Sequence, residues 1–76
     1  PYSSDIRGAS IALRELRVQS GGRPVRVLYA FDPARAALLL LGGDKTGNER
    51  WYAENVPRAE RIFAEHLKEI KEEGRP

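Results

Sequence analysis

Several residue types that build common functional sites are missing or scarce in this chain of 76 residues. There is no cysteine, which excludes disulfides, thiolate nucleophiles and cysteine-based zinc sites. The single histidine, His66, has no cluster of carboxylates around it in the sequence, so we expect neither a metal site nor a cofactor. No apolar run approaches the roughly 20 residues of a membrane helix, and no signal peptide pattern is present. These absences predict one small cytoplasmic domain over residues 1–76 with no membrane partner.

Positive charge is concentrated in the first third of the chain, although the formal net charge is only +2. Between positions 7 and 26, five arginines face one carboxylate, that of Glu15. A basic patch of this kind is typical of a surface that binds nucleic acid or an acidic partner. A solvated polar face gives the same pattern, and charge alone favours that simpler interpretation.

The hydrophobic pattern predicts an α+β fold that begins with a three-stranded antiparallel meander. Residues 1–9 have no periodicity and are expected to form a loop or frayed end. Short apolar segments rich in Val, Ile and Leu predict strands over 11–18, 25–31 and 36–41, with turns at 20–22 and 32–35. The third segment is apolar throughout, so we expect it to be buried on both faces. Both sheet faces carry apolar residues, which predicts that absent sequence, a second copy of the chain or another partner covers the exposed sheet.

The last third of the chain predicts a kinked C-terminal helix. Asn48 is a candidate cap for a short helix over 49–55. Pro57 disfavours helical geometry at Val56 and suits the first turn of a new helix, so we expect a kink or a restart there. From Pro57 to about Glu72, apolar residues recur at the spacing of one helical face.

Cationic and aromatic side chains mark the ends of these elements. Arg26 interrupts the second strand, where it either binds an anion or extends to water at an edge. Lys45 follows two glycines, which is a weak signal for phosphate binding, and a solvated pair with Asp44 is the alternative. Of the neighbours Trp51 and Tyr52, only one can point fully into the core. The other is left to stack on a base or to lie at the rim.

Arg14 and Arg17, on the preceding strand, are further candidates for substrate binding. They lie on opposite faces of that strand, so only one of them can share a surface with Arg26. Paired carboxylates, a nucleophile elbow and a P-loop are all absent, and His66 is interpreted as a core or rim residue. Chemistry based on arginine, lysine and tyrosine favours metal-independent RNA cleavage, in which the 2′-OH attacks the adjacent phosphate.

Five segments follow one another in a recognisable order: Leu-Arg-Glu-Leu-Arg at 13–17, Val-Arg-Val-Leu-Tyr-Ala-Phe-Asp-Pro at 25–33, Leu-Leu-Leu-Gly-Gly-Asp-Lys-Thr-Gly at 39–47, Arg-Trp-Tyr at 50–52 and Pro-Arg-Ala-Glu-Arg at 57–61. This order resembles the RelE/HigB-like toxins of bacterial type II toxin–antitoxin systems, especially the actinobacterial and phage-derived branch. The resemblance implies an mRNA interferase that cuts messenger RNA in the ribosomal A site and so inhibits translation. It also implies a cognate antitoxin, often of helix-turn-helix type, that holds the toxin inactive.

The resemblance implies specific roles for the candidate residues. Arg26 matches the strand arginine that contacts the scissile phosphate, and Arg17 matches a basic residue of the preceding strand. Lys45 lies near the basic position that stabilises the transition state or protonates the leaving oxygen. Tyr52 lies close to the aromatic that stacks on a base or assists proton transfer, and Trp51 beside it is a candidate substrate-binding residue.

Two departures from the family pattern matter. Where some members carry lysines on the preceding strand, this chain has Leu13 and Glu15, so the general base is unidentified. Family members also carry a first strand and a helical hairpin ahead of the segment that begins at residue 7. Because the chain also lacks methionine, we expect an N-terminally truncated part of a toxin with a partial RelE/ParE-like fold. The alternatives are a ParE-like gyrase inhibitor and a catalytically inert fragment that binds an antitoxin.

Overall fold

A computed structural model of the chain describes residues 2–8 and 11–73. It contains four strands followed by one helix. The elements are β1 (Tyr2–Asp5), β2 (Arg14–Ser20), β3 (Arg23–Phe31), β4 (Ala37–Asp44) and α1 (Trp51–Glu72). The predicted α+β fold, an antiparallel meander followed by a C-terminal helix, is confirmed, with one strand more than expected.

The four strands form one antiparallel sheet in the order β1-β2-β3-β4. The β2–β3 turn consists of Gly21 and Gly22, whose φ angles of 57° and 76° suit glycine because it has no Cβ. In the β3–β4 turn, the amide of Arg35 donates to the carbonyl of Asp32 at 2.8 Å, as the predicted turn requires. Short turns of this kind make sequential strands neighbours in the sheet.

The strand β1 lies in the segment for which we expected a loop, so that prediction is wrong for residues 2–5. Its register with β2 runs from Tyr2 opposite Arg17 to Asp5 opposite Arg14. Polar contacts strengthen this pairing, because the Arg14 guanidinium donates to Asp5 Oδ1 at 3.1 Å and to Ser3 Oγ at 3.3 Å. Because β1 is held by backbone pairing and polar cross-strand contacts, its sequence has no apolar alternation from which a strand could be predicted.

The core lies between one face of the sheet and α1. Its buried apolar side chains are Leu13, Leu28, Ala30, Leu40, Trp51, Ala59 and Phe63. A bulge in β4 opposite Leu28 and Tyr29 places Leu40 as the extra residue between Leu39 and Leu41. The bulge brings both Leu40 and Leu41 into contact with the core cluster.

The other face of the sheet is open to solvent in the part of the chain that the structure describes. Leu39 is 70% exposed and Phe31 is 53% exposed, and Tyr29 packs edge-on against Phe31 with ring centres 5.9 Å apart. The prediction that the third strand is buried on both faces is therefore wrong. A continuous apolar run shows that a strand has two apolar faces, but it does not show that both faces are covered.

The helix α1 runs without interruption from Trp51 to Glu72, so the predicted separate helix over 49–55 and the restart are wrong. Pro57 lies inside α1 on its exposed side. It cannot donate to the carbonyl of Ala53, but Ala53 is also exposed, so water can satisfy that carbonyl. Asn48 lies before the helix, where its Oδ1 accepts a hydrogen bond from the Arg50 amide at 3.0 Å.

The helix α1 is amphipathic. It buries Ala59 and Phe63, and its opposite side carries charged residues. Within residues 2–8 and 11–73, no helix is both long enough and apolar enough to cross a membrane.

Candidate functional site

The sheet register brings two arginines together on the face that α1 covers. Arg17 of β2 lies directly opposite Arg26 of β3, and Arg26 lies opposite Gly43 of β4. The Trp51 indole packs over Gly43 so closely that a Cβ built there would lie 3.1 Å from its Nε1 atom. The missing side chain at Gly43 therefore lets the first turn of α1 approach the strand that carries Arg26.

The three predicted catalytic residues lie together at this point. Arg26 Nε donates to the Tyr52 hydroxyl at 3.2 Å, and Arg26 Nη1 donates to the carbonyl of Val25 at 3.1 Å. The Lys45 ammonium lies 5.5 Å from the centre of the Tyr52 ring, within the range of a cation–π contact. A strand, a loop and a helix thus each contribute one side chain to a cluster of two cations and a phenol.

A buried carboxylate, Glu15, completes the cluster and was not among the predicted site residues. Its exposed fraction is 2%, and its Oε1 accepts hydrogen bonds from Arg17 Nε at 2.6 Å and Ser4 Oγ at 3.1 Å. Its Oε2 has no hydrogen-bond partner within normal distance among the described residues. The sequence held one signal for it. Leu13, Glu15 and Arg17 alternate along a face that packs on the core, where an acidic side chain is unusual.

The charges of this cluster shift two pKa values in opposite directions. Burial by itself raises the pKa of Glu15, but the interactions with Tyr52, Arg17 and Ser4 outweigh it and hold the pKa below its usual value. Burial, together with the neighbouring Glu15, raises the pKa of Tyr52, which the hydrogen bond from Arg26 only partly offsets. At neutral pH the site therefore holds an ionised carboxylate and a protonated phenol.

Two predicted substrate-binding residues, Trp51 and Arg14, do not contribute an exposed side chain to the cluster. Trp51 is buried at 4% exposure and packs edge-on against Tyr52, with ring centres 5.2 Å apart. Of the two adjacent aromatics, Trp51 is thus the core residue and Tyr52 the rim residue. Arg14 lies on the opposite face of the sheet, where its Nε donates to the Tyr29 hydroxyl at 3.1 Å. Four of the six predicted site residues share one surface: Arg17, Arg26, Lys45 and Tyr52.

An open cavity of about 540 Å³ lies beside the cluster. Its lining residues are Arg17, Val18, Gln19, Pro24, Arg26 and Lys45. Three of these are cations and none is acidic, so the cavity suits an anionic group such as a phosphate. Within the described ranges, no group of three or more His, Asp or Glu side chains could hold a metal ion.

The single histidine lies outside this cluster. His66 Nε2 is 3.6 Å from Asp32 Oδ2, so its neighbour is the β3–β4 turn. It is half-buried, which agrees with its interpretation as a core or rim residue.

Comparisons with known proteins connect the chain to a family. Residues 1–64 match the family described as Phage derived protein Gp49-like (DUF891). The chain belongs to this family. A relative in Mycobacterium tuberculosis (strain ATCC 25618 / H37Rv) that bears the name Putative toxin HigB2 is 43% identical over 75 residues, which cover 95% of this chain and 37% of the relative. No solved structure matches the chain.

A second relative from the same strain bears the name Putative toxin HigB3. It is 57% identical over 49 residues, which cover 63% of this chain and 41% of the relative. The predicted resemblance to HigB-like toxins of a phage-derived branch is thus confirmed. The chain spans about two-fifths of the length of these relatives.

Proposed function

We propose that this Gp49-like chain is part of a type II toxin that cleaves messenger RNA on the ribosome and is held inactive by a cognate antitoxin. The names of the two HigB relatives support the toxin role. The proposal of RNA cleavage rests on one observation: Arg26, Tyr52 and Lys45 form a cluster beside a cavity lined by cationic side chains. A ribosomal target and a helix-turn-helix antitoxin, both in the cytoplasm, are part of the same proposal.

Arg26 is the residue best suited to bind the scissile phosphate. Its hydrogen bonds to Tyr52 and Val25 fix the guanidinium plane and leave other N–H donors available to phosphate oxygens. Because β3 holds this side chain in place, little reorganisation is needed as charge develops on the phosphorane. Arg17, directly opposite on β2, adds positive charge at the same surface.

Tyr52 and Lys45 supply the remaining chemistry in this proposal. When the 2′-OH attacks the phosphorus, it loses its proton to solvent, the bond to the 5′ oxygen of the next nucleotide breaks, and that oxygen needs a proton. The raised pKa of Tyr52 keeps its phenol protonated, so it can donate that proton. Lys45, close to the same ring, stabilises the negative charge on the phosphate oxygens.

The proposal is tested with the natural full-length protein on translating ribosomes. Primer extension should show discrete cuts in the messenger RNA at ribosome-bound positions, and addition of the cognate antitoxin should abolish them. A parallel supercoiling assay with DNA gyrase should show no inhibition. Gyrase inhibition with intact RNA would contradict the proposal in favour of a ParE-like activity. Antitoxin binding with neither activity would show an inert, antitoxin-binding protein.

A further inference from the structure

We propose that Glu15 is a positioning residue, whose buried carboxylate fixes the Arg17 guanidinium beside Arg26 and holds a negative charge next to the Tyr52 phenol. The inference rests on the proposed RNA cleavage for its functional consequence. The placement of Glu15 stands on geometry alone, so it can be tested separately.

Packing alone does not account for a carboxylate at this position. Glu15 is the only buried charged side chain among residues 2–8 and 11–73, and it lies directly opposite the fully buried Leu28. A buried ion pair is often no more stabilising than apolar side chains of similar volume, because both charges must leave water. Apolar residues in place of both Glu15 and Arg17 would therefore suit the stability of this core at least as well.

The contacts of Glu15 explain what the carboxylate does instead. Arg17 and Arg26 are directly opposed on neighbouring strands, and like charges in this arrangement repel each other. Glu15 pairs with Arg17 at 2.6 Å and so offsets that repulsion. The two arginines can therefore lie on one surface. Because Glu15 pairs with Arg17, the positive charge of Arg26 stays available to bind the phosphate.

The same carboxylate lines one cavity together with the phenol of Tyr52. The Tyr52 hydroxyl accepts a hydrogen bond from Arg26 Nε, so its own proton must point elsewhere. Charged groups surround the phenol from several elements: Glu15 and Arg17 from β2, Arg26 from β3, Lys45 after β4, and Asp5 and Arg7, which line the same cavity. Of the two carboxylates, Asp5 pairs with Arg14, whereas Glu15 is buried, so its negative charge favours the protonated phenol and keeps that proton available for the leaving oxygen.

The test compares Glu15→Gln and Glu15→Leu with the parental full-length protein. Glutamine keeps the shape and can still contact Ser4, but it removes the charge. Leucine matches the apolar surroundings. We expect both variants to fold with some loss of thermal stability at neutral pH, because Arg17 loses its partner opposite Arg26. They should also lose up to about a hundredfold in kcat with little change in KM, because a displaced catalytic group costs rate more than binding.

A second readout follows Tyr52 directly by NMR of carbon-13-labelled tyrosine, with its signal assigned by its loss in Tyr52→Phe. Because Glu15 contributes to the raised pKa of Tyr52, Glu15→Gln should move the titration of this signal to lower pH. An unchanged titration, or a parental kcat in both folded variants, would overturn the positioning role. If the parental protein cuts no RNA, the proposed function fails, and the Tyr52 titration still decides whether the charge of Glu15 acts on the phenol.

Discussion

At the scale of single residues, the cluster depends on hydrogen bonds to charged groups that the elements hold in place. The bond from Arg26 to Tyr52 joins the centre of the sheet to the start of α1. Trp51 fixes the other side of Tyr52, since its indole is buried against Gly43. The orientation of Tyr52 is thus set by packing on one side and by charge on the other.

We expect Tyr52→Phe to reduce RNA cleavage by the full-length protein, because it removes the proposed proton donor and the partner of Arg26 Nε. The loss should be smaller than the roughly hundredfold loss expected for a phosphate-binding donor, since Arg26 remains. Tyr29→Phe is the matched control, because Tyr29 lies on the opposite face with Arg14 and Ser3. Single-turnover primer extension measures both variants, and equal losses would contradict the assigned role of Tyr52.

Glu15 also predicts how stability depends on pH. Its pKa in the folded chain lies below the ordinary value of about 4.3, so its contribution to stability is complete above that pH. The contribution is lost as the pH falls through the lower folded value. Urea unfolding should therefore show a steeper loss of stability below about pH 4.3 in the parental protein than in Glu15→Gln. Identical pH profiles would show that Glu15 is not stabilised as an anion by the fold.

At the scale of elements, the β3–β4 turn contains the clearest backbone strain. Arg35 has a φ of 64°, in the left-handed region where its Cβ is crowded. We expect Arg35→Gly to raise the free energy of unfolding by about 0.5–1 kcal/mol, since glycine adopts this geometry without the steric cost. Ala34→Gly in the same turn is the control and should give no gain. A loss of stability in Arg35→Gly, measured by urea unfolding, would contradict this account.

Much of the element pattern could be predicted from the sequence, because it reflects local chemistry. The alternation of Val25, Val27, Tyr29 and Phe31 predicts the face that they share, and Gly21 with Gly22 predicts the turn. The start of the sheet could not be predicted, since β1 is held by backbone pairing and by Arg14. The continuity of α1 through Pro57 depends on the exposure of Ala53, which only the fold determines.

The candidate site was predictable in part for similar reasons. A cation in a strand and an aromatic at a helix start are visible as patterns, and Arg26 with Tyr52 does form the centre of the cluster. Trp51 rather than Tyr52 is buried because Gly43 has no side chain and leaves space for the indole. This space depends on how the chain folds, so it could not be predicted from the sequence. Glu15 stands out in the sequence as an acidic residue in the alternation of Leu13, Glu15 and Arg17 and as a departure from the family pattern. Its role could not be predicted, because it depends on Arg17 and Tyr52 across the fold.

At the scale of the whole molecule, the uncovered sheet face is the main feature that the described residues leave without a partner element. Exposed apolar area of this kind is worth about 25 cal/mol per Å² when it is buried, which favours association in a small domain. We expect the isolated chain to associate with increasing concentration in sedimentation velocity. Leu39→Lys should weaken this association, and Ile62→Lys, at an exposed position on α1, should not. A stable parental monomer over a wide concentration range would contradict the prediction.

The central claim is that Arg26 binds the scissile phosphate, and one pair of variants in the full-length protein tests it most directly. Arg26→Ala should lower the rate of ribosome-dependent messenger RNA cleavage about a hundredfold, while antitoxin binding and thermal stability stay near parental values. Arg61→Ala, an exposed arginine on α1, should cleave at the parental rate. Primer extension on translating ribosomes gives both rates. Parental cleavage by a folded Arg26→Ala variant would contradict the account and place the chemistry elsewhere.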